Sequence, residues 1–257
     1  MDIITIIGLV LGLGALIVAF ILEGGVVGAL LQPTAAIIVF GGLMGAVAVS
    51  FPGSILKRVP KILMKTFSKE TEDRAEIMKT FMSLSEMVRR EGLLSLEHEL
   101  ETRELSEFAV TGLRLVIDGA DEEVIEQALN TRVENLEHRH EQGAAVFEAA
   151  AGYAPTMGVL GTVMGMVNVL SDLSNAEELG PKIAVAFIAT LYGVGSANLI
   201  FMPIANKLKV KSAEEIIAMN MTLEGILLLR SGCNPAFMKE QMKGYLKNEK
   251  ETEETEA

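Results

Sequence analysis

Four long runs of apolar residues divide the sequence, and polar or charged segments separate them. The runs cover residues 3–22, 33–51, 152–170 and 183–204, and none of them contains a charged side chain. A helix needs about 20 apolar residues to cross the roughly 30 Å hydrocarbon core of a bilayer. Each run meets this length, so the sequence predicts four membrane-spanning helices.

Short polar turns join these runs in pairs. Residues 23–32 connect the first two runs and lead to Pro33, a residue type favoured in the first turn of a helix. Residues 171–182 connect the last two runs, and Pro181 predicts that the fourth helix begins there. The four spans therefore form two helical hairpins.

The segment between the hairpins has a different pattern. Apolar residues recur there every three or four positions, for example in residues 77–88, and this spacing predicts amphipathic helices. No alternating strand pattern occurs in the segment. Gly92, Gly112 and Gly119 predict the boundaries between its helices.

These patterns predict an all-α integral membrane protein with a cytoplasmic helical domain. A first transmembrane hairpin occupies residues 1–51, and the cytoplasmic domain occupies residues 52–150. A second transmembrane hairpin follows at 151–204. Residues 205–257 form a cytoplasmic C-terminal helix and a charged tail without apolar runs, which is typical of disorder.

The distribution of positive charge predicts the orientation of the spans. Of the 22 Lys and Arg residues, 13 lie in residues 52–148, eight lie after residue 204, and Lys182 is the remaining one. Because cytoplasmic segments are enriched in Lys and Arg, both long polar segments and both termini are predicted to be cytoplasmic. The net charge of −12 and the absence of a basic stripe argue against nucleic-acid binding.

The spans contain no Asp, Glu, Lys, Arg or His, whereas a pump that moves protons through its own midplane usually carries such a residue there. The last two spans instead carry a stripe of small and hydroxylic residues. Such a stripe permits close helix packing, either between the two spans of one chain or around a partner helix that supplies a carboxylate. The stripe consists of Ala154, Gly158, Gly161, Thr162 and Gly165 in the third span, and Ala186, Ala189, Thr190, Gly193 and Ala197 in the fourth.

Other chemistry is not indicated. No nucleotide-binding or nucleophile motif occurs, so we predict that the chain is not an enzyme and has no cofactor. His138 and His140 are two residues apart and point to different faces of a helix, which argues against a metal site. A self-contained solute carrier remains an alternative, although the spans lack the polar clusters that such a carrier needs.

Three sequence segments together resemble the MotA/PomA flagellar stator proteins, and the likeness extends over nearly the whole chain. They are residues 154–165, residues 186–208 and the charged segment 89–100. The resemblance implies a homo-pentamer around two copies of a single-span MotB-like partner. In that arrangement the partner's carboxylate carries H⁺ or Na⁺, and the pentamer pushes the rotor protein FliG. An ExbB/TolQ-type subunit is the alternative within the superfamily, but those relatives have three spans.

The resemblance also assigns roles to individual residues. It implies that Arg89, Arg90 and Glu97 contact the rotor. It places an ion pathway along Thr162, Thr190, Ala189, Gly158, Pro155 and Pro203, and packing against the partner helix along Ala154, Gly161, Gly165, Ala186, Gly193 and Ala197. Hydroxyl oxygens suit a hard cation, so the two threonines favour sodium, while the family name implies protons. Both ions stay open at this point.

Overall fold

The computed structural model describes residues 2–68, 73–171 and 176–246, with no side-chain description at 176–178. These residues form helices and turns, and no strand occurs among them. The predicted disordered tail lies outside the described residues. The helices are α1 (Ile3–Leu22), α2 (Pro33–Ala36), α3 (Gly42–Ser50), α4 (Gly53–Leu56), α5 (Val59–Phe67), α6 (Arg74–Glu91), α7 (Leu96–Thr102), α8 (Glu107–Ile117), α9 (Glu122–Ser171), α10 (Ala176–Ser196), α11 (Met202–Arg230) and α12 (Pro235–Lys243).

The prediction of four membrane-spanning helices is confirmed. Four helical segments of the described chain are long and apolar enough to cross a bilayer: Ile3–Leu22, Val27–Ser50, Glu122–Ser171 and Leu179–Arg230. The last two are far longer than a bilayer requires, since each continues through a polar sequence beyond its apolar part. The apolar runs therefore mark where these helices cross the membrane, but not where the helices begin and end.

The described chain forms two compact units. One contains residues 2–68 and 140–209, and includes the apolar runs; the other contains residues 73–139 and 210–246. Helices α9 and α11 each contribute residues to both units, at residues 139–140 and 209–210. A division of the sequence by linear segments alone does not reveal this pairing of distant parts of the chain.

Two side-chain contacts from Lys207 join the end of the fourth span to the start of the first. The carboxylate of Asp2 caps α1 by accepting from the amide of Ile4 at 3.1 Å. Lys207, which follows the fourth apolar run, donates to the Asp2 carboxylate and to the Thr5 hydroxyl. The hydrogen bond from Lys207 lowers the pKa of Asp2 to about 2. Asp2 is therefore ionised at neutral pH.

The opposite ends of the spans are joined through Tyr192. Its hydroxyl donates to the carbonyl of Leu30 and accepts from the amide of Gln32 at 3.1 Å, both in the turn between the first two spans. The ring also stacks on Phe40, with 6.1 Å between the ring centroids. A tyrosine satisfies two polar backbone groups here while its ring packs on apolar neighbours.

Three prolines near the helix ends have different effects. Pro33 is the first residue of α2, as predicted. Pro181 lies inside α10, which begins at Ala176, so the prediction that the helix begins at Pro181 is wrong. Pro203 follows a π-helical turn, Ala197–Phe201. A wider turn relieves the clash between a proline ring and the carbonyl four residues earlier, so α10 passes into α11 without a break.

The second unit has a conventional apolar core. Helices α6, α8, α9, α11 and α12 contribute fully buried side chains, including Met78, Leu113, Leu129, Ile226 and Met238. Gly92 ends α6 with φ +86°, and Gly119 follows α8 with φ +75°, so both predicted boundaries are confirmed.

Gly112 does not mark a boundary. It lies within α8, where a Cβ atom would stand 2.4 Å from Ile226 Cδ1 and 2.9 Å from Leu129 Cδ1. The predicted helix boundary at Gly112 is wrong because this glycine allows close packing of α8 on the core instead.

Arg74 is a buried cation in the second unit, with 8% of its surface exposed. Its Nη1 donates to the carbonyl of Tyr245 at 3.1 Å, and its Nη2 lies 3.5 Å from the carboxylate of Glu214. Loss of one partner of a buried ion pair leaves the other charge uncompensated. Arg74 therefore links α6 to α11 and to the residues after α12.

Replacement of Arg74 by Met removes the guanidinium and keeps an apolar stem. We expect a loss of roughly 1–3 kcal/mol in the free energy of unfolding, because the Tyr245 carbonyl loses a charged donor and Glu214 loses an ion-pair partner. Thermal melting of the solubilised protein measures the loss, and limited proteolysis measures release of α12. Lys79→Met, at an exposed position of the same helix, is the control. Equal melting temperatures of the Arg74→Met and Lys79→Met variants would contradict a structural role for the guanidinium.

Candidate functional site

Helices α9 and α10 approach each other most closely at two glycines. A Cβ atom on Gly193 would stand 2.4 Å from the Ala154 carbonyl oxygen and 3.0 Å from Gly158 Cα. A Cβ atom on Gly158 would stand 2.9 Å from the Ala189 carbonyl oxygen. These contacts are with backbone atoms, which cannot rotate away as a side chain does. Only glycine fits at both positions while the helices keep this separation.

The remaining small residues continue this contact along the two helices. A Cβ atom on Gly161 would meet the Ala189 methyl group at 2.6 Å, and one on Gly165 would meet the Ala186 methyl group at 2.6 Å. Ala154, Ala186 and Ala197 are buried, as is Ala189. The stripe thus packs α9 on α10 within one chain. The contact between α9 and α10 is enough to explain why these residues are small. Their predicted packing against a partner helix stays a prediction.

Span two covers further sides of this helix pair. Ala35 and Val39 pack with Ile188 and Ala189 in one apolar cluster. Leu43 packs with Ala154 and Ala197 in another. Other positions of the pair stay exposed and apolar, and they provide surfaces for lipid or for neighbouring helices: Val159, Val163, Val167, Phe187, Leu191 and Val194.

Thr162 and Thr190 meet between the helices, and their role in an ion pathway stays a prediction. Their hydroxyl oxygens share a hydrogen bond. The Thr162 hydroxyl also lies 3.2 Å from the Gly158 carbonyl oxygen and 3.1 Å from that of Ala186, while the Thr190 hydroxyl lies 3.4 Å from the Gly158 carbonyl oxygen. Two hydroxyl and two carbonyl oxygens therefore gather at one point between the two helices.

This oxygen cluster has the donor chemistry that a small, hard cation requires. Carbonyl and hydroxyl oxygens replace part of the hydration shell of such an ion. The cluster carries no formal charge, because it consists of hydroxyl and backbone carbonyl oxygens and no Asp, Glu, Lys, Arg or His occurs in the four apolar runs. The cluster can therefore stabilise a passing cation, but it cannot by itself carry a proton.

The two prolines of the predicted pathway lie within long helices. Pro155 is inside α9, next to buried Ala154, and Pro203 is the second residue of α11. Each removes one backbone donor from its helix. Their role in ion movement stays a prediction.

The predicted rotor-contact residues are all exposed in the second unit. Arg89 and Arg90 lie in the last turn of α6, and Glu97 lies in the first turn of α7. Arg90 forms an exposed ion pair with Glu86 at 3.7 Å, an interaction that contributes little to stability. The turn at Gly92 connects the two helix ends. These charged side chains are available for contact with another protein.

Sequence reasoning did not predict the contacts of Asp2 and Lys207, or those of Glu148 and Lys209. Lys209 Nζ lies 2.5 Å from the Glu148 carboxylate. The only signal in the sequence is that each charge lies just outside an apolar run. That position does not identify which opposite charge it meets.

The comparison with known proteins agrees with this architecture. The model of the MotA/TolQ/ExbB proton channel family matches residues 101–221, and the model of the motility protein A N-terminal region matches residues 6–92. The uncharacterized protein YtxD of Bacillus subtilis is 40% identical over 94% of this chain and 89% of its own length. Motility protein A of Bacillus subtilis is 37% identical over 96% of this chain and 91% of its own length.

A solved structure extends the likeness to three dimensions. A chain of the flagellar MotAB stator complex from Bacillus subtilis superimposes with a TM-score of 0.89 and 36% identity, over 95% of this chain and 96% of that one. The chain belongs to the MotA family. The predicted likeness of this sequence to the flagellar stator proteins is thereby confirmed. The prediction that the chain is not an enzyme is confirmed as well, since these relatives are stator subunits.

The alternatives are not favoured by these matches. The family model at 101–221 covers MotA, TolQ and ExbB alike, so it does not separate them. The match at 6–92 is specific to the N-terminal region of motility protein A, and the match to a stator chain extends over nearly the whole length. MotA therefore fits better than an ExbB/TolQ-type subunit or a self-contained carrier.

Proposed function

We propose that the chain forms, with a single-span MotB-like partner, the ion channel of a flagellar stator, and that ion flow through the channel produces torque. The single observation that supports this most is the full-length match to a chain of a MotAB stator complex. The oxygen cluster at Thr162 and Thr190 is consistent with it. The cluster offers uncharged ligands, and the partner supplies the carboxylate that the four spans lack.

The energy for this movement comes from the membrane. One elementary charge that moves through 100 mV releases about 2.3 kcal/mol. No nucleotide is needed, in agreement with the absence of a nucleotide-binding motif. The proposal places both termini in the cytoplasm of a bacterial inner membrane, five chains around two partner chains, and either H⁺ or Na⁺ as the transported ion.

Expression in flagellated but non-motile cells, from which the native stator genes have been deleted, tests this proposal. We expect rotation of tethered cells when the chain and its MotB-like neighbour are produced together, and none when either is produced alone. Replacement of the partner's membrane Asp by Asn is expected to stop rotation without loss of the complex. Substrate-dependent flux through the chain without a partner would instead support a self-contained carrier.

The exposed charges at the α6–α7 corner are proposed to contact the rotor protein FliG. We expect Glu97→Lys to reduce the stall torque several-fold and to leave membrane assembly unchanged, because the side chain is exposed and a reversed charge opposes a complementary surface. Bead assays on single motors measure the torque. Glu134→Lys, an exposed charge reversal on α9, is the control. Full torque in Glu97→Lys cells would remove Glu97 from the rotor contact.

A further inference from the structure

Helix α5 is held at both ends beside the termini of membrane spans. Its first residue, Val59, follows the end of α3 at Ser50 by nine positions. At its other end, the carbonyl oxygen of Phe67 accepts from the backbone amide of Asp2 at 2.9 Å, directly before α1. The last residue of α5 therefore lies beside the start of the first span, and its first residue is a short chain distance from the end of the second.

One face of α5 packs on the first unit. Ile62 and Leu63 contact the apolar cluster of Phe147, Ile204 and Ala205, and Thr66 is fully buried. The approach of Ile62 to α9 is close, since a Cβ atom on Gly143 would stand 2.9 Å from Ile62 Cδ1. This packing fixes the rotation of α5, and so it fixes which residues face outward.

The outward face of α4–α5 is cationic and partly apolar. Lys57, Arg58, Lys61 and Lys65 are exposed, and no acidic residue occurs between residues 24 and 69. Met64 lies among them with 74% of its surface exposed. Helices that lie in a membrane surface combine basic residues with apolar side chains in this way.

We propose that this face, Lys57, Arg58, Lys61, Met64 and Lys65, binds the phosphate headgroups of anionic phospholipids. The location beside two span ends brings the cations to headgroup depth, and charge complementarity selects anionic over zwitterionic lipid. Met64 enters the adjoining acyl region. The interaction holds α5 in the plane of the bilayer surface, and it requires neither ion flow nor rotor contact.

Lipid selectivity of the purified complex tests the proposal independently of rotation. The chain and its partner are reconstituted in phosphatidylcholine vesicles that contain spin-labelled phosphatidylglycerol or spin-labelled phosphatidylcholine. We expect a preference for phosphatidylglycerol at the protein surface. In the triple variant Lys57→Gln, Arg58→Gln, Lys61→Gln, the association constant of the selected lipid is expected to fall by at least about fivefold, which is the contribution of one basic residue near an anionic surface, and by roughly a hundredfold if the three contributions add fully.

A matched control removes three exposed cations from the second unit: Lys79→Gln, Arg114→Gln and Arg139→Gln. We expect this variant to keep the preference. An equal loss in both triple variants, or no loss in either, would overturn the proposal. Glycerol 3-phosphate is the soluble competitor, and displacement of the lipid by millimolar amounts of it would indicate a site for free phosphate instead.

A salt titration of the unaltered complex keeps the test decisive if the triple variant fails to assemble. The preference is expected to decline as ionic strength rises, because the screening length shortens from about 10 Å at 0.1 M to about 3 Å at 1 M. A preference that is insensitive to salt would contradict binding by exposed cations. Failure of the stator proposal would show in the rotation assays, whereas failure of this one would show only in lipid selectivity.

Discussion

Gly193→Ala is expected to destabilise the helix pair α9–α10 and to abolish motility. The added methyl group would stand 2.4 Å from the Ala154 carbonyl oxygen and 3.1 Å from the Gly158 backbone nitrogen. Both atoms belong to the backbone, so the helices themselves must separate. Overpacking of this kind usually costs about 1–3 kcal/mol, and we expect the upper part of this range because no side chain can yield.

The separation would also disrupt the oxygen cluster. Thr162 and Thr190 share a hydrogen bond across the same helix contact, about one turn from Gly193. A shift of the helices lengthens that bond and moves the carbonyl oxygens of Gly158 and Ala186 apart. We therefore expect loss of ion-driven rotation even in the fraction of protein that still assembles.

Gly195→Ala is a matched control, because it changes the same residue type on the same helix. A Cβ atom at Gly195 meets nothing within 4 Å. Thermal melting of the solubilised complex compares the two variants, and swimming in soft agar reports function. If the Gly193→Ala and Gly195→Ala variants have the same melting temperature, the close approach of α9 and α10 is not a structural requirement.

The membrane spans were predictable because lipid imposes a length and a composition that few other environments require. A run of about 20 residues without charge, such as residues 3–22, has one plausible structure. The ends of α9 and α11 were not predictable in the same way. Helical periodicity continues from the apolar part of each helix into its polar part, and no residue between them marks an end.

Single residues were ambiguous for related reasons. Proline predicts a helix start only where the preceding residues are not helical, and α10 already includes five residues before Pro181. Glycine predicts a turn or a close approach, and the sequence alone does not distinguish Gly119 from Gly112. The structure packs the small-residue stripe of α9 on that of α10, which is one of the two arrangements that the sequence left open, and packing on a partner helix stays a prediction. The partner of the stripe within the chain depends on how two helices rotate about their axes, which sequence spacing leaves open.

The oxygen cluster supports a prediction about the driving ion. If Thr162 and Thr190 contribute ligands to a sodium pathway, rotation of tethered cells should stop when potassium replaces sodium at constant pH and ionic strength. In the double variant Thr162→Val, Thr190→Val, shape is nearly kept and both hydroxyl groups are lost. An unmade polar contact costs about 1–3 kcal/mol, so we expect rotation at limiting sodium to fall roughly tenfold or more.

Ser196→Ala is the control for this double variant. Ser196 is buried in the same helix as Thr190, and its hydroxyl bonds to the Gly193 carbonyl oxygen of its own helix at 3.2 Å. Loss of that hydroxyl removes an intrahelical bond without removing the cluster, so sodium-driven rotation should persist. Equal loss in both variants would mean that hydroxyl groups here serve helix stability only.

The opposite result in unaltered cells is equally informative. Rotation that continues without sodium would make protons the transported ion and would leave the partner's carboxylate as the only group that carries charge. The threonine pair would then serve only as a polar contact between α9 and α10. Its hydroxyl groups would donate to the Gly158 and Ala186 carbonyl oxygens, which water would otherwise hydrogen-bond. In that case the Val double variant should lower the melting temperature while rotation per assembled complex stays unchanged, because the ion route would not pass through the lost hydroxyl groups.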